Sequence, residues 1–282
     1  MEIVDSICEP GNPDKNNEDT WGHTKCAVWV FDGATGLADD TLVAPPGKTD
    51  PRWLVEQADH SLKNHADKIA DMHQLYRTIL FENAQIFHEQ ARRPVQQSYE
   101  MPMAASMVVK YFGGRAICGH LSDCALIIET TTGLQSLTGD EHHAALDAQT
   151  YALMKEDIAK GTPLSQARAK IVPQLKRARM QANRPGGYDV YAPDPDLADK
   201  VKIDTFSPAP DGYALLMSDG FYRLVDVMKK YNEADLIAAA KTQGLESLYN
   251  ELRAAENADP DARTHLRAKK SDDATAVLLR FD

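Results

Sequence analysis

Residues 104–138 read AASMVVKYFGGRAICGHLSDCALIIETTTGLQSLT, and this run decides the fold class. Its apolar stretches, Ala104 to Phe112, Ala116 to His120 and Ala125 to Glu129, are rich in Val, Ile and aromatics and have the length of strands. Gly113-Gly114 between the first two supplies the positive φ angles that a two-residue hairpin turn demands, and Thr132-Gly133 marks another turn before LQSLT. The segment is therefore an antiparallel meander. Working outward, the strand signature returns at Cys26 to Phe31, Tyr213 to Met217 and Ala274 to Phe281. Apolar residues recur at helical spacing in Pro51 to Ala70 and in Asp71 to Arg92, as at Leu75, Ile79, Ile86 and Phe87. Asp226 to Glu256 offers two more helices, broken near Gly244. Strands, helices, strands, helices and a last strand make an α+β chain.

Residues 141–200 differ in character. Asp147 to Asn183 is charged, Ala-rich and mainly helical, and it runs into RPGG and the proline-punctuated YAPDPDLADK. The strand pattern resumes afterwards, so this stretch reads as a helical insertion into one fold spanning 1–282.

The 282 residues carry 31 Lys and Arg against 42 Asp and Glu, a formal charge of −11. That sign disfavours a sequence-independent hold on nucleic acid or on an anionic membrane. The start, MEIVDSICEPGNPDK, lacks the basic n-region and apolar stretch of a secretion signal, and the expectation is a cytoplasmic protein. Cys8, Cys26, Cys118 and Cys124 form no CxxC pair and lie in or beside strand-like runs, where reduced, buried thiols are expected.

The acids carry the chemistry. Asp19 closes NNEDT, Asp32 follows AVWVF, Asp123 follows ICGHLS, Asp219 follows YALLMS, and Asp272 with Asp273 precedes ATAVLL. A carboxylate beside a buried strand is costly unless it is paired or coordinates a cation, so repeated placement at strand ends points to oxygens converging on hard divalent ions such as Mg or Mn. Gly33 and Gly220, each directly after an Asp, allow close backbone approach, and a glycine carbonyl is itself a possible ligand. A single Asp-Gly after a strand is ordinarily just a turn. The set, drawn from both ends of the chain, meets only if one sheet-built site gathers it.

In order, NNEDT, VWVFDGATG, MAASMVV, RAICGHLSDCALII, SLTGDEHHA, DGYALLMSDGF and SDDATAVLL resemble the metal-dependent protein phosphatases of the PPM (protein phosphatase 2C) type, in its bacterial form. The resemblance covers the chain apart from the insertion. It implies a four-layer αββα sandwich, two antiparallel sheets flanked by helix pairs, with the insertion as a flap beside the cleft. It further implies that Asp32 bridges two Mn or Mg ions, with the Gly33 carbonyl on one of them. Asp219 and Asp272 complete the pair, Glu18 or Asp19 binds directly or through water, and Asp123 belongs to a third, weaker ion. Asp273 is the second choice for the last ligand, because the family usually has Asp-Asn there. The implied reaction is attack of a metal-activated water on a phosphomonoester, with no phosphoenzyme. The implied substrate is phosphoserine or phosphothreonine in a protein. The alternatives are a small phosphorylated metabolite and a silent phosphatase-like sensor.

Two departures bear on the phosphate. Where the family commonly has a phosphate-gripping arginine, this chain has Asp14 with Lys15 beside it, and four residues after Asp219 it has Arg223 instead of a second acid. Lys15 and Arg223 are accordingly the expected phosphate-binding cations, the alternative for Arg223 being a pairing with Asp226 or Asp123 that anchors the following helix. His120 reads as a structural strand residue, and Trp21, Trp29 and Trp53 as core.

Overall fold

The computed structural model describes residues 1–139 and 141–282, the side chains of 141–144 and 147 set aside. In chain order the strands are β1 (Glu2–Glu9), β2 (Asp19–His23), β3 (Ala27–Gly33), β4 (Ala104–Phe112), β5 (Arg115–Leu121), β6 (Ala125–Thr130), β7 (Gly133–Thr138), β8 (Lys202–Phe206), β9 (Tyr213–Met217) and β10 (Ala274–Arg280). They make two five-stranded sheets, ordered β1-β10-β9-β6-β7 and β2-β3-β4-β5-β8. Every named pairing is antiparallel.

Because successive strand side chains alternate in direction, β3 splits its apolar residues between two layers. Val28 and Val30 face the other sheet, packing with Leu126 and Ile128 of β6, Leu216 of β9 and Val277 of β10. Trp29 and Phe31 face outward onto α1 (Asp50–His65) and α2 (Met72–Gln90), meeting Trp53, Leu54, Leu75 and Ile79. Beyond the other sheet lie α5 (Asp219–Asp226), α6 (Glu233–Gln243) and α7 (Leu245–Ala258), which bury Phe221, Leu236, Leu248 and Leu252 against Ile127, Leu215 and Met217. The layers are α, β, β, α, as the resemblance implied.

Local signals set the helix starts. The Thr49 hydroxyl accepts from the Arg52 amide with Pro51 in the first turn, and the Asp71 carboxylate accepts from the Gln74 amide. The meander runs as read, and the predicted strands match observed ones to within one or two residues at each end. Three strands escape the pattern. β1 is interrupted by Glu2, Asp5 and Glu9, β2 is five residues long and holds Gly22, and β8 emerges from the proline-rich stretch. Helix α5 also begins at Asp219, seven residues before the expected start of that helical region.

The insertion forms α3 (Glu141–Ala159) and α4 (Leu164–Arg179). Met154 and Ile158 of α3 pack with Leu164, Ala167 and Ile171 of α4 and with Ala262 from the loop after α7. Tyr188 and Val190 beyond it join the apolar layer under α1 and α2. Cys118 and Cys124 are buried thiols, whereas Cys8 and Cys26 are half-buried, and all four are free. Among the described residues no helix is long and apolar enough to cross a membrane.

Candidate active site

Strand register gathers the acids. Asp19 and Asp32 are direct partners across β2 and β3. In the other sheet Met217 pairs with both Ala125 and Ala276, so Asp123, Asp219 and the Asp272-Asp273 step, each just beyond its strand, gather at one end. Close backbone approach completes the arrangement. A Cβ on Gly220 would stand 1.8 Å from the Asp273 carbonyl oxygen, and one on Gly33 would stand 2.5 Å from the Glu18 carbonyl oxygen. Neither position has room for alanine.

The result is a cavity of about 150 Å³ between the sheets' ends and the inserted helices. Asp32, Gly33, Asp123, Asp219 and Asp272 line one side, and Tyr151, Arg168, Leu175 and Arg179 of α3 and α4 line the other. Asp19 lies fully buried behind this floor, and neither of its carboxylate oxygens has a hydrogen-bond partner. The hydroxyls of Ser218 and Thr275 oppose its protonation only in part. Thr275 spends its own proton on the Cys8 sulfur. Glu18 is buried as well, its Oε2 accepting from the Thr35 hydroxyl at 2.8 Å.

Asp272 and Asp273 have different tasks. Asp273 accepts from the Gly11 amide at 2.8 Å and the Glu18 amide at 2.6 Å, so both of its oxygens clamp the N-terminal loop. Asp272 turns to the cavity, where Lys269 Nζ donates to Oδ1 and an Arg223 nitrogen to Oδ2, each at 2.7 Å.

Of the two cations expected to hold phosphate, one lies away from the cavity and the other is engaged by carboxylates. Lys15 sits in an exposed turn and does not line the cavity. Arg223 lines it, but its guanidinium is buried between Asp272 and Glu256, the latter at 3.2 Å. The carboxylate that shares Arg223 lies in α7, far off in sequence. His120 is structural as expected, its Nε2 lying 3.0 Å from Asp204. Trp29 and Trp53 are core residues, and Trp21 packs half-buried at the core's edge.

Crowding of like charge dominates the electrostatics. Burial first, then Asp19, Asp219, Asp123 and Asp272, raises the Asp32 carboxyl well above the usual range. Burial, with Asp273 and Asp219 adding, pushes Asp19 up to about 8. Burial and the charges of Asp272 and Asp123 push Asp219 up to about 6. Asp272 goes the other way: burial opposes ionisation, but Lys269 and Arg223 outweigh it and hold the carboxyl low. Two cations against this many acids leave a deficit of positive charge that divalent ions would fill. The donor set is all oxygen and suits a hard cation, and the partnerless Asp19 carboxylate marks where positive charge is missing. Among the described residues, however, no three side chains are drawn into a closed ligand cluster. Mutual repulsion and the pull of Lys269 and Arg223 on Asp272 account for that open arrangement.

Sequence reading missed Lys269, Arg168 and Glu256. The basic pair in AKKSDD, three residues before Asp272, was the available signal for Lys269, whereas nothing local distinguishes Arg168 or Glu256 from surface helix residues.

No family model and no curated protein matches this chain. Solved structures do. The serine/threonine phosphatase PstP/Ppp of Mycobacterium tuberculosis is 14% identical, with 97% of this chain and 95% of that one covered and a TM-score of 0.56. The PPM Ser-Thr phosphatase MsPP of Mycobacterium smegmatis, solved with cacodylate, is 17% identical over 100% of both chains, with a TM-score of 0.55. The PstP catalytic domain solved with two manganese ions is 14% identical, with coverage of 98% and 97% and a TM-score of 0.56. Superposition over the full length of these structures shows that this chain has the fold of the PPM-type serine/threonine phosphatases.

Proposed function

We propose that the chain is one catalytic domain, with residues 141–200 as its flap, that hydrolyses phosphomonoesters with divalent metal, acting on phosphoserine and phosphothreonine in proteins. The observation that carries this reading is the convergence of Asp32, Asp123, Asp219 and Asp272 on one cavity backed by a buried Asp19 without a hydrogen-bond partner. Likeness to phosphatases of that specificity, one of them holding two manganese ions, supports it.

Asp32, Asp219 and Asp272 would hold two Mn or Mg ions, with the Gly33 carbonyl and with Asp19 or Glu18 directly or through water. Such ions, when bound, supply Lewis-acid charge that lowers the pKa of water and neutralises a phosphoryl group under attack. The chain's own part is positional. Strand ends fix the carboxylates, Asp273 ties the N-terminal loop to the β10 end, and α3 with α4 screens the cleft from bulk water. A third ion would find Arg223 lining the same cavity as Asp123, where the resemblance implies a second acid. The small volume of the cavity under α3 and α4, about 150 Å³, favours, as a second reading, a small phosphorylated substrate over a protein.

The test is hydrolysis of p-nitrophenyl phosphate with Mn, with Mg and with chelator, followed by phosphopeptides against small phosphomonoesters. Absence of metal-dependent turnover on every substrate would refute the proposal, and turnover confined to small esters would establish the second reading.

A further inference from the structure

An anion entering this cavity faces a floor of carboxylates, and even two divalent ions leave its outer oxygens in need of donors. Four cations line the cavity among the described residues: Arg168, Arg179, Arg223 and Lys269. Arg223 is spent on Glu256 and Asp272, and Lys269 on Asp272 and the Thr35 hydroxyl. Arg168 and Arg179 have no ion-pair partner among the described residues. The Nε of Arg168 is buried without an acceptor. Arg179 makes one long hydrogen bond, 3.5 Å, to the carbonyl oxygen of Ala34, next to the Asp32-Gly33 step. Its neighbours on α4 point elsewhere. Lys176 lies over the Tyr99 ring at 4.6 Å, and Arg177 turns back to the Pro173 carbonyl.

We propose that Arg168 and Arg179 of the inserted helix α4 bind the phosphate of the substrate from the side opposite the carboxylates. This rests on the hydrolase reading and adds to it the residues that replace the missing N-terminal arginine. Two half-buried guanidinium groups with free donors offer planar forks to a dianion. The Arg179–Ala34 contact sets one of them beside the first Asp-Gly turn. It also makes the insertion part of the binding site, so that phosphate and a seated α4 stabilise one another.

The test uses the full chain with saturating Mn and inorganic phosphate as the probe, followed by calorimetry. Arg168→Ala and Arg179→Ala should each weaken phosphate binding about tenfold or more, and the double variant further, while Mn titration and melting temperature stay near wild type. Arg168→Lys and Arg179→Lys should restore part of the affinity and guard against misfolding of the alanine variants. Protection of α4 amides from hydrogen exchange by phosphate, lost in the alanine variants, would support the same role. Unchanged phosphate affinity in the double alanine variant would overturn the proposal, as would equal losses in alanine and lysine variants that track a lowered melting temperature. Failure of the hydrolase reading looks different: wild-type protein would bind phosphate through these arginines yet turn nothing over.

Discussion

Replacing Arg223 with alanine separates a structural cation from a substrate-binding one. Arg223 is 7% exposed and bridges Glu256, which is 0% exposed, and Asp272. Removing one partner of a buried ion pair costs about 3–5 kcal/mol, because the other charge is left without compensation. Each carboxylate here keeps a second cation: Arg253 stands 2.5 Å from Glu256, and Lys269 stands 2.7 Å from Asp272. The expected cost is therefore the low end, about 3 kcal/mol, which for a chain of this size lowers the melting temperature by about 6 °C. Adding Glu256→Gln removes the charge that Arg223 compensates, so the double variant should lose less than the sum of the single losses, by roughly 1–3 kcal/mol. The assay is thermal melting of the metal-free protein, with calorimetry of inorganic phosphate binding in the presence of Mn. Phosphate affinity should stay within about threefold of wild type. An unchanged melting temperature together with a tenfold or greater loss of phosphate affinity would refute the reasoning, for the guanidinium would then belong to the substrate.

Other predictions follow from the crowded carboxylates and the tight turns. Asp32→Asn should abolish Mn-dependent hydrolysis yet raise the melting temperature of the metal-free protein, because it deletes a charge that burial and four neighbouring acids oppose; a lowered melting temperature would show that the repulsion is not felt. Asp19 and Asp219 have folded-state values of about 8 and about 6, above those of an unfolded chain, so their contribution to stability is present at low pH and lost as pH rises through those values. Metal-free protein should accordingly melt lower at pH 8.5 than at pH 5.5, with Mn reversing the trend, whereas a rising melting temperature would contradict the sign. Gly220→Ala, whose Cβ would meet the Asp273 carbonyl oxygen at 1.8 Å, should weaken Mn binding and destabilise the fold together; calorimetry showing intact Mn affinity would mean that the turn yields without moving Asp272.

What could be read in the sequence was what is local or periodic. The 104–138 meander was legible because its turns need glycine and its strands are continuous apolar runs. The acids were legible because Asp32 directly follows such a run and Asp219 follows one after a single serine, and each precedes glycine. Edge strand β1 was not, since Glu2, Asp5 and Glu9 break the apolar pattern, and only pairing with β10 makes it a strand. The fate of the cations was beyond reach for a related reason. Whether Arg223 faces substrate or protein depends on Glu256, 33 residues away on another helix, and no spacing rule connects them. Likewise the division of labour between Asp272 and Asp273 follows from the amides of Gly11 and Glu18, which come from the other end of the chain.

Strand β10 lies between β1 and β9, so the strand latest in chain order is seated inside its sheet, not added to the edge. Asp272 arrives with it. During synthesis the earlier carboxylates, Asp19, Asp32, Asp123 and Asp219, exist long before their final neighbour, and the sheet that will hold them is open along a central seam. Closing so distant a contact is slow compared with forming the local meander. Until Ala274–Arg280 enters between β1 and β9, Asp272 is not seated beside the other carboxylates, and the proposed metal site is incomplete. The same placement makes the open seam the stage most exposed to wrong strand pairing, so that refolding yield, more than final stability, should be sensitive to changes in Ala274–Arg280.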